Sequence, residues 1–299
     1  MSHTTPDALL PNLWGPHLFV PANRAGFLTK LPVLHVRNLI IDLEYATKVK
    51  AKTDGRHLCR HAIGYLRAVR PDLHVTVRTN VTKTCGLFED DLRVVLRARP
   101  DALRIPSINT PDEIERADEM VTRLEAEYGL PQGQVRFHPM IETPTGLRNA
   151  VAIARASRRN QALALGGEDW AHNCGLTRTR AGQELDYVKA TLVAAAAEEM
   201  LFPVDSVYNW LEDLEGLAAD TERSKLLGFH ARATINPRQL DVIHRIYRPA
   251  ETDVRWAKAL VDGLAEMDIC GTPQHVVNGV ITDPLAVHQA RTILSYREV

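Results

Sequence analysis

The chain has 299 residues, enough to bury roughly 75% of its unfolded surface in one large domain or two ordinary ones. Its 36 Lys+Arg against 37 Asp+Glu leave a formal net charge of -1, which provides no bulk field for a nucleic-acid backbone or an anionic membrane. No run of 18 apolar residues occurs, and Cys59, Cys85, Cys174 and Cys270 are far apart without a CxxC pair, so a soluble cytoplasmic chain with free thiols and small-molecule partners is expected.

The opening MSHTTPDALLPNLWG lacks the basic-then-apolar order of a secretory signal and reads as a flexible arm over 1–15. Short β-prone runs follow: HLFV (17–20), NLIIDL (38–43), HVTVRTN (74–80), ALRIP (102–106), VRFHPMIE (135–142), ALALGG (162–167), FPVDSV (202–207) and LLGFHARATI (226–235). Helical stretches over 46–70, 111–128, 145–158, 182–200, 212–225 and 237–246 alternate with them. In the second of these, a first turn with Pro and acidic residues precedes Ile114, Ala117, Met120, Val121 and Leu124 at helical spacing. This alternation predicts an α/β fold, a closed (β/α)8 TIM barrel over 16–246, because a doubly wound open sheet would normally have fewer strands and a switch point.

Past residue 246 the pattern changes to one more helix, then a short connector or hairpin, then another helix, forming a C-terminal helical extension over 247–299. Its apolar faces, Val254/Ala257/Leu260/Val261 and Val287/Ala290/Ile293/Leu294, need a surface to bury, either the chain's own barrel, which composition alone favours, or a partner subunit in a homo-oligomer.

Barrel enzymes carry their reactive groups at the carboxyl ends of the strands. Those ends hold Asp42/Glu44, Arg78/Asn80, Ser107, Glu142, Glu168/Asp169 and Asp205, mostly carboxylates with one arginine. Glu142 and Asp169 lie at adjacent strand ends, where two like charges repel unless a cation sits between them, and an oxygen-preferring ion such as Mg2+ suits two carboxylates plus water. Two solvated or salt-bridged acids are the alternative. Alternation in TVRTN turns Arg78 inward, where its fork can serve a carboxylate or oxyanion, or else a structural ion pair. His35, His74, His138 and His172 form no HExxH or fixed triad, and no GxGxxG, Walker loop or nucleophile elbow occurs. For a Schiff-base route the nearest lysine is Lys83, three residues beyond Asn80.

Seven blocks in order, HLFVPANRAGFLTK, NLIIDLEYATKVKAKTDGR, VTVRTN, MIETPTGLRNAVAIA, ALGGEDW, AGQELDYVKA and LGFHARATINPRQL, resemble the citrate lyase beta subunit-like branch of the HpcH/HpaI aldolase family. The resemblance runs from about residue 16 to 296, and the joint order and spacing make it specific. It implies a Mg2+-dependent carbon–carbon lyase, with Mn2+ as an alternative ion, acting on 3-hydroxy acyl thioesters such as malyl, citramalyl or citryl groups. Carried over residue by residue, it makes Glu142 and Asp169 the metal ligands, Arg78 and Glu44 catalytic residues, and Arg24 and Lys30 contacts to coenzyme A.

NGVITDP supplies Asp283 at the position of a family aspartate that reaches a neighbouring subunit's active site, which implies trimers or multiples of three such as hexamers. The sequence departs from the family at Ala22, Tyr45, Ser107, His230-Ala231-Arg232 and Pro284-Leu285, where the usual residues include Gly, Asp, Lys, Asp-Gly-Lys and Gly-Pro. The implied reaction is a reversible Claisen-type cleavage giving an acyl thioester and a 2-oxo acid. Two alternatives remain at this stage: an aldolase for free 2-oxo acids that dispenses with coenzyme A, and a non-catalytic subunit.

Overall fold

The computed structural model describes residues 13–83, 86–265, 275–277, 280–282 and 284–296. Eight strands, β1 (Gly15–Pro21), β2 (Asn38–Asp42), β3 (His74–Arg78), β4 (Ala102–Ile105), β5 (Arg136–Ile141), β6 (Ala162–Leu165), β7 (Phe202–Asp205) and β8 (Ala231–Thr234), pair in sequence order. β1 also pairs with β8, every pairing is parallel, and the expected barrel is therefore closed. Around the barrel run α1 (Ala25–Leu28), α2 (Lys52–Val69), α3 (Leu87–Val95), α4 (Pro111–Glu127), α5 (Pro144–Arg148), α6 (Ala150–Arg155), α7 (Gly167–Asn173), α8 (Asp186–Glu198), α9 (Leu214–Leu226) and α10 (Leu240–Tyr247). Strands such as NLIID are buried at every position because helices cover the outer face while side chains fill the interior.

Helix α4 has the register read from its sequence. Thr110 and Glu113 close a capping box, Pro111 occupies the first turn, and Ile114, Ala117, Val121 and Leu124 are buried. Elsewhere local hydrogen bonds move the boundaries. The stretch expected to be helical from 46 starts only at Lys52, since the Asp42 carboxylate accepts from the N–H groups of Glu44 and Ala46, both at 2.9 Å, and holds a turn there. The helix expected over 145–158 is divided at Asn149, whose side-chain amide donates to the Asn109 carbonyl at 2.7 Å. The last strand begins at Ala231, not at 226, because α9 continues to Leu226 and Gly228 turns the chain at φ 106. Helix α3, absent from the predicted helical stretches, follows Gly86, which has a left-handed φ of 73 and no side chain to signal a cap.

Gly15–Ile246 is one compact unit; Trp14 and the residues from Tyr247 onward belong to a second. In the second unit, α11 (Glu251–Ala265) and α12 (Pro284–Ser295) bracket an antiparallel hairpin, β9 (His275–Val277) with β10 (Val280–Thr282). Ala257, Leu260 and Ala290 form its core, with Trp256, Val261, Val287, Ile293 and Leu294 packed on it. The two apolar faces thus pack against each other, while Val254 stays 36% exposed. Trp14 joins this unit by donating from Nε1 to Ser295 Oγ at 3.2 Å and by an edge-on contact with Tyr296. Among the described residues no helix is long and apolar enough to cross a membrane.

Candidate active site

The register of β2 against β3 sets Asp42 beside Arg78 at the carboxyl end of the barrel. Arg78 donates from Nε to Asp42 Oδ1 and from Nη2 to Asp42 Oδ2, both at 2.7 Å, while its Nη1 lies 3.1 Å from Glu44 Oε2. Its guanidinium rests over the Phe19 ring, 4.7 Å from the centroid. A guanidinium has five N–H bonds, so these three contacts leave one on each terminal nitrogen for another acceptor. The arginine is therefore ion-paired, with two N–H bonds not taken up by these contacts.

Electrostatics divide the carboxylates. Asp42 stays below the usual carboxylate range: burial opposes ionisation, but the bonds and charge of Arg78 with the N–H groups of Ala46 and Glu44 outweigh it. Glu44 is pushed up to about 7, first by burial and then by the charges of Glu142, Asp42 and Asp169, against the opposing pull of Arg78. Glu142 is also raised, chiefly by burial and further by Asp169, against the Ser107 hydrogen bonds and Arg78. A mouth in which acids resist ionisation is chemically suited to a cation that would relieve their repulsion.

Glu142 immediately follows β5 and is 2% exposed. Its Oε2 accepts from the Ser107 main-chain N–H at 2.8 Å and from Ser107 Oγ at 2.6 Å; Oε1 accepts from none of the described residues. A side chain at Gly166 would collide with this carboxylate, so the first glycine of ALALGG permits the close approach. The second glycine opens α7, which presents Asp169, exposed, in its first turn. Asn173, the last residue of that helix, donates from Nδ2 to the Glu142 carbonyl at 3.0 Å and ties α7 to the end of β5.

The structure thus brings Glu44, Arg78, Glu142 and Asp169 into mutual electrostatic reach. Arg24 and Lys30 are exposed beyond β1, and neither side chain bonds to a described residue. Asp283 lies outside the described residues. Among those described, no group of three or more His, Cys, Asp or Glu is arranged to hold a metal, and the candidate donors at this mouth are the carboxylates of Glu142 and Asp169. That donor set is all oxygen, which fits Mg2+ completed by water and substrate atoms.

Other strand-end groups serve the fold. Asp205 belongs to a buried network in which Lys189 Nζ lies 3.2 Å and Arg232 Nη2 2.9 Å from its Oδ2. Arg232 also pairs with Asp220, so the cation at this departure from the family has a structural partner. Lys83 pairs with Glu113 at 2.5 Å. His74 and His138 stack in the interior at 5.7 Å and are held below the usual histidine range by burial first. His230 is lowered to about 4 by burial and Lys225. Sequence reasoning noted Asp42 and Ser107 as strand-end residues but missed what they do: one clamps Arg78, the other holds Glu142. Their hydrogen-bonding side chains at adjacent strand ends were the available signal.

Residues 16–237 match the family described as HpcH/HpaI aldolase/citrate lyase. This chain belongs to that family. It is 30% identical to the citrate lyase subunit beta of Haemophilus influenzae over 93% of this chain and 94% of that protein. It is 27% identical to the L-malyl-CoA/beta-methylmalyl-CoA lyase of Cereibacter sphaeroides, with 94% of each covered. Among solved structures, the CitE protein of Mycobacterium tuberculosis shares the fold with a TM-score of 0.70 at 21% identity, covering 95% of this chain and 98% of that one.

Proposed function

We propose that this family member is a Mg2+-dependent lyase that reversibly cleaves a 3-hydroxy acyl-coenzyme A thioester of the malyl, citramalyl or citryl type into an acyl-coenzyme A and a 2-oxo acid or related carbonyl product. The observation that carries the reading is the pairing of a clamped guanidinium, with two N–H bonds uncommitted among the described residues, and a carboxylate with one oxygen that accepts no hydrogen bond from them. Support also comes from the relatives named as citrate lyase subunit beta and malyl-CoA lyase, and from the M. tuberculosis structure, which is described as a complex with magnesium, acetoacetate and coenzyme A.

Glu142 and Asp169 would hold Mg2+ or Mn2+. The ion would supply a Lewis acid at the acyl end of the substrate. Arg78, kept in place by Asp42 and Glu44, offsets negative charge on the thioester oxygen as the carbon–carbon bond breaks and the electron pair moves toward the carbonyl. The hydroxyl gives up its proton to solvent as its carbon becomes the carbonyl of the 2-oxo acid, and the thioester enolate left behind takes a proton on carbon to give the new acyl group. Asp283, outside the described residues, is assigned that proton and removes it in the condensing direction. Arg24 and Lys30 receive the anionic end of coenzyme A. A homo-oligomer, trimeric or hexameric, in which Asp283 serves a neighbour remains part of the reading on the strength of the NGVITDP resemblance alone.

Calorimetric titration of the chain with Mg2+, alongside E142A/D169A, tests the metal site. Loss of binding in the double variant supports it, and unchanged affinity overturns it. Turnover of malyl- and citramalyl-coenzyme A against the corresponding free acids tests the carrier.

A further inference from the structure

The β4–α4 turn holds the one residue between Ile105 and Pro111 with a left-handed backbone. Ser107 has φ 54, a conformation that disfavours a side chain and persists where surrounding bonds over-determine it. Those bonds are present. Asn109 Nδ2 donates to the Ser107 carbonyl at 2.9 Å, the Asn109 N–H donates to Glu113 Oε2 at 2.6 Å, and the Asn109 carbonyl accepts from Asn149 Nδ2 at 2.7 Å. Held this way, Ser107 directs both its N–H and its hydroxyl at a single atom, Glu142 Oε2. A carboxylate oxygen has two lone-pair sites, so these donors fill Oε2, whereas Oε1 accepts from no described residue.

We infer that Ser107 is a positioning residue that makes Glu142 a one-oxygen ligand and thereby sets the site's preference for Mg2+ over Ca2+; this rests on the metal site proposed above. Mg2+ requires near-octahedral single-oxygen contacts, whereas Ca2+ accepts six to eight oxygens and takes carboxylates through both. With Oε2 saturated, the two-oxygen mode that Ca2+ favours is closed. Without the Ser107 hydroxyl, one lone-pair site of Oε2 reopens, while the N–H bond still keeps the carboxylate near its place. The turn itself depends on Asn109 and Glu113, so losing the hydroxyl leaves the loop fastened.

The test is calorimetric titration of the full chain, stripped of metal, with MgCl2 and with CaCl2, for wild type, Ser107→Gly and Ser107→Ala. Glycine relieves the left-handed backbone and alanine retains the side-chain carbon, so a shared effect belongs to the hydroxyl. Metal-free thermal unfolding confirms that each variant is folded. The expected result is a fall of about tenfold in the ratio of Mg2+ to Ca2+ affinity in both variants, the scale of one hydrogen bond to a charged group. An unchanged ratio in folded variants overturns the inference while leaving the metal site standing. A change confined to the glycine variant also overturns it, because loop freedom would then be the cause. Wild-type protein that binds no Mg2+ overturns the proposed site and this inference with it.

Discussion

Asp42 and Arg78 meet across neighbouring strands through two parallel hydrogen bonds of 2.7 Å, with the carboxylate side chain 2% exposed and the guanidinium 13%. Such a fork fixes the guanidinium plane as well as its position. Asp42→Asn keeps the shape and removes the charge, leaving a buried cation with one weaker partner. The expected loss is about 3 kcal/mol of stability in urea unfolding, as for other broken buried pairs. A loss below about 0.5 kcal/mol, the range of ordinary surface changes, would mean that Glu44 and Phe19 suffice to hold the arginine.

The barrel was legible because its strands are short apolar runs with helical stretches between them, and Glu142, Asp169 and Arg78 stand as candidates because barrel chemistry gathers at strand ends. The Asp42–Arg78 clamp was not, since it depends on which residues share a register across β2 and β3. The φ of Ser107 was hidden for a related reason: Asn109, Glu113 and Asn149 impose it from outside the residue. LLGFHARATI reads as one apolar run, yet Leu226 ends a helix and is 87% exposed, because the turn at Gly228 separates it from β8.

Arg78→Lys separates charge from geometry. Lysine keeps the cation but cannot span both Asp42 oxygens while donating to Glu44 and a substrate oxygen. Provided the variant folds by circular dichroism, kcat/KM on the best thioester substrate is expected to fall about 10²-fold or more, the scale of a lost oxyanion contact. Wild-type kcat/KM would restrict Arg78 to the fold.

Glu44 gives a pH prediction with a definite sign. Its folded pKa of about 7 lies above the ordinary 4.5, so between these values the folded state binds the additional proton. Stability contributed by this proton is present at low pH and lost as pH rises through 7. In metal-free protein, the stability of wild type relative to Glu44→Gln is therefore expected to decline from pH 5 to about pH 8. Added Mg2+ is expected to bind more tightly as the pH rises over the same interval, since it competes with protons for the acidic mouth. A pH-independent difference between the two proteins would show that Glu44 ionises normally.

Gly166→Ala places a methyl group into the Glu142 carboxylate, whereas Gly26→Ala meets nothing within 4 Å. The first variant is expected to lose about 1–3 kcal/mol of stability through overpacking and to bind Mg2+ at least about tenfold more weakly. The second is expected to match or slightly exceed wild type. Equal Mg2+ affinity in the two variants, measured by calorimetry, would show that Glu142 moves aside without consequence and is not a ligand.

Arg104 is 1% exposed and, among the described residues, has no carboxylate partner; its Nη2 lies 3.3 Å from His17 Nδ1, and its Nε has no hydrogen bond. Burial first, and the charge of Arg78 second, lower it to about 9, so it remains protonated at neutral pH. Holding a buried cation without a counter-charge is unfavourable, and methionine offers similar reach without it. Arg104→Met is therefore expected to raise stability at pH 7 by about 1 kcal/mol or more, the lower end of gains from replacing buried charge with packed apolar groups. Urea unfolding at pH 7 checks the gain. A variant less stable than wild type there would show that contacts with His17 and Phe19 outweigh the penalty of burying the charge.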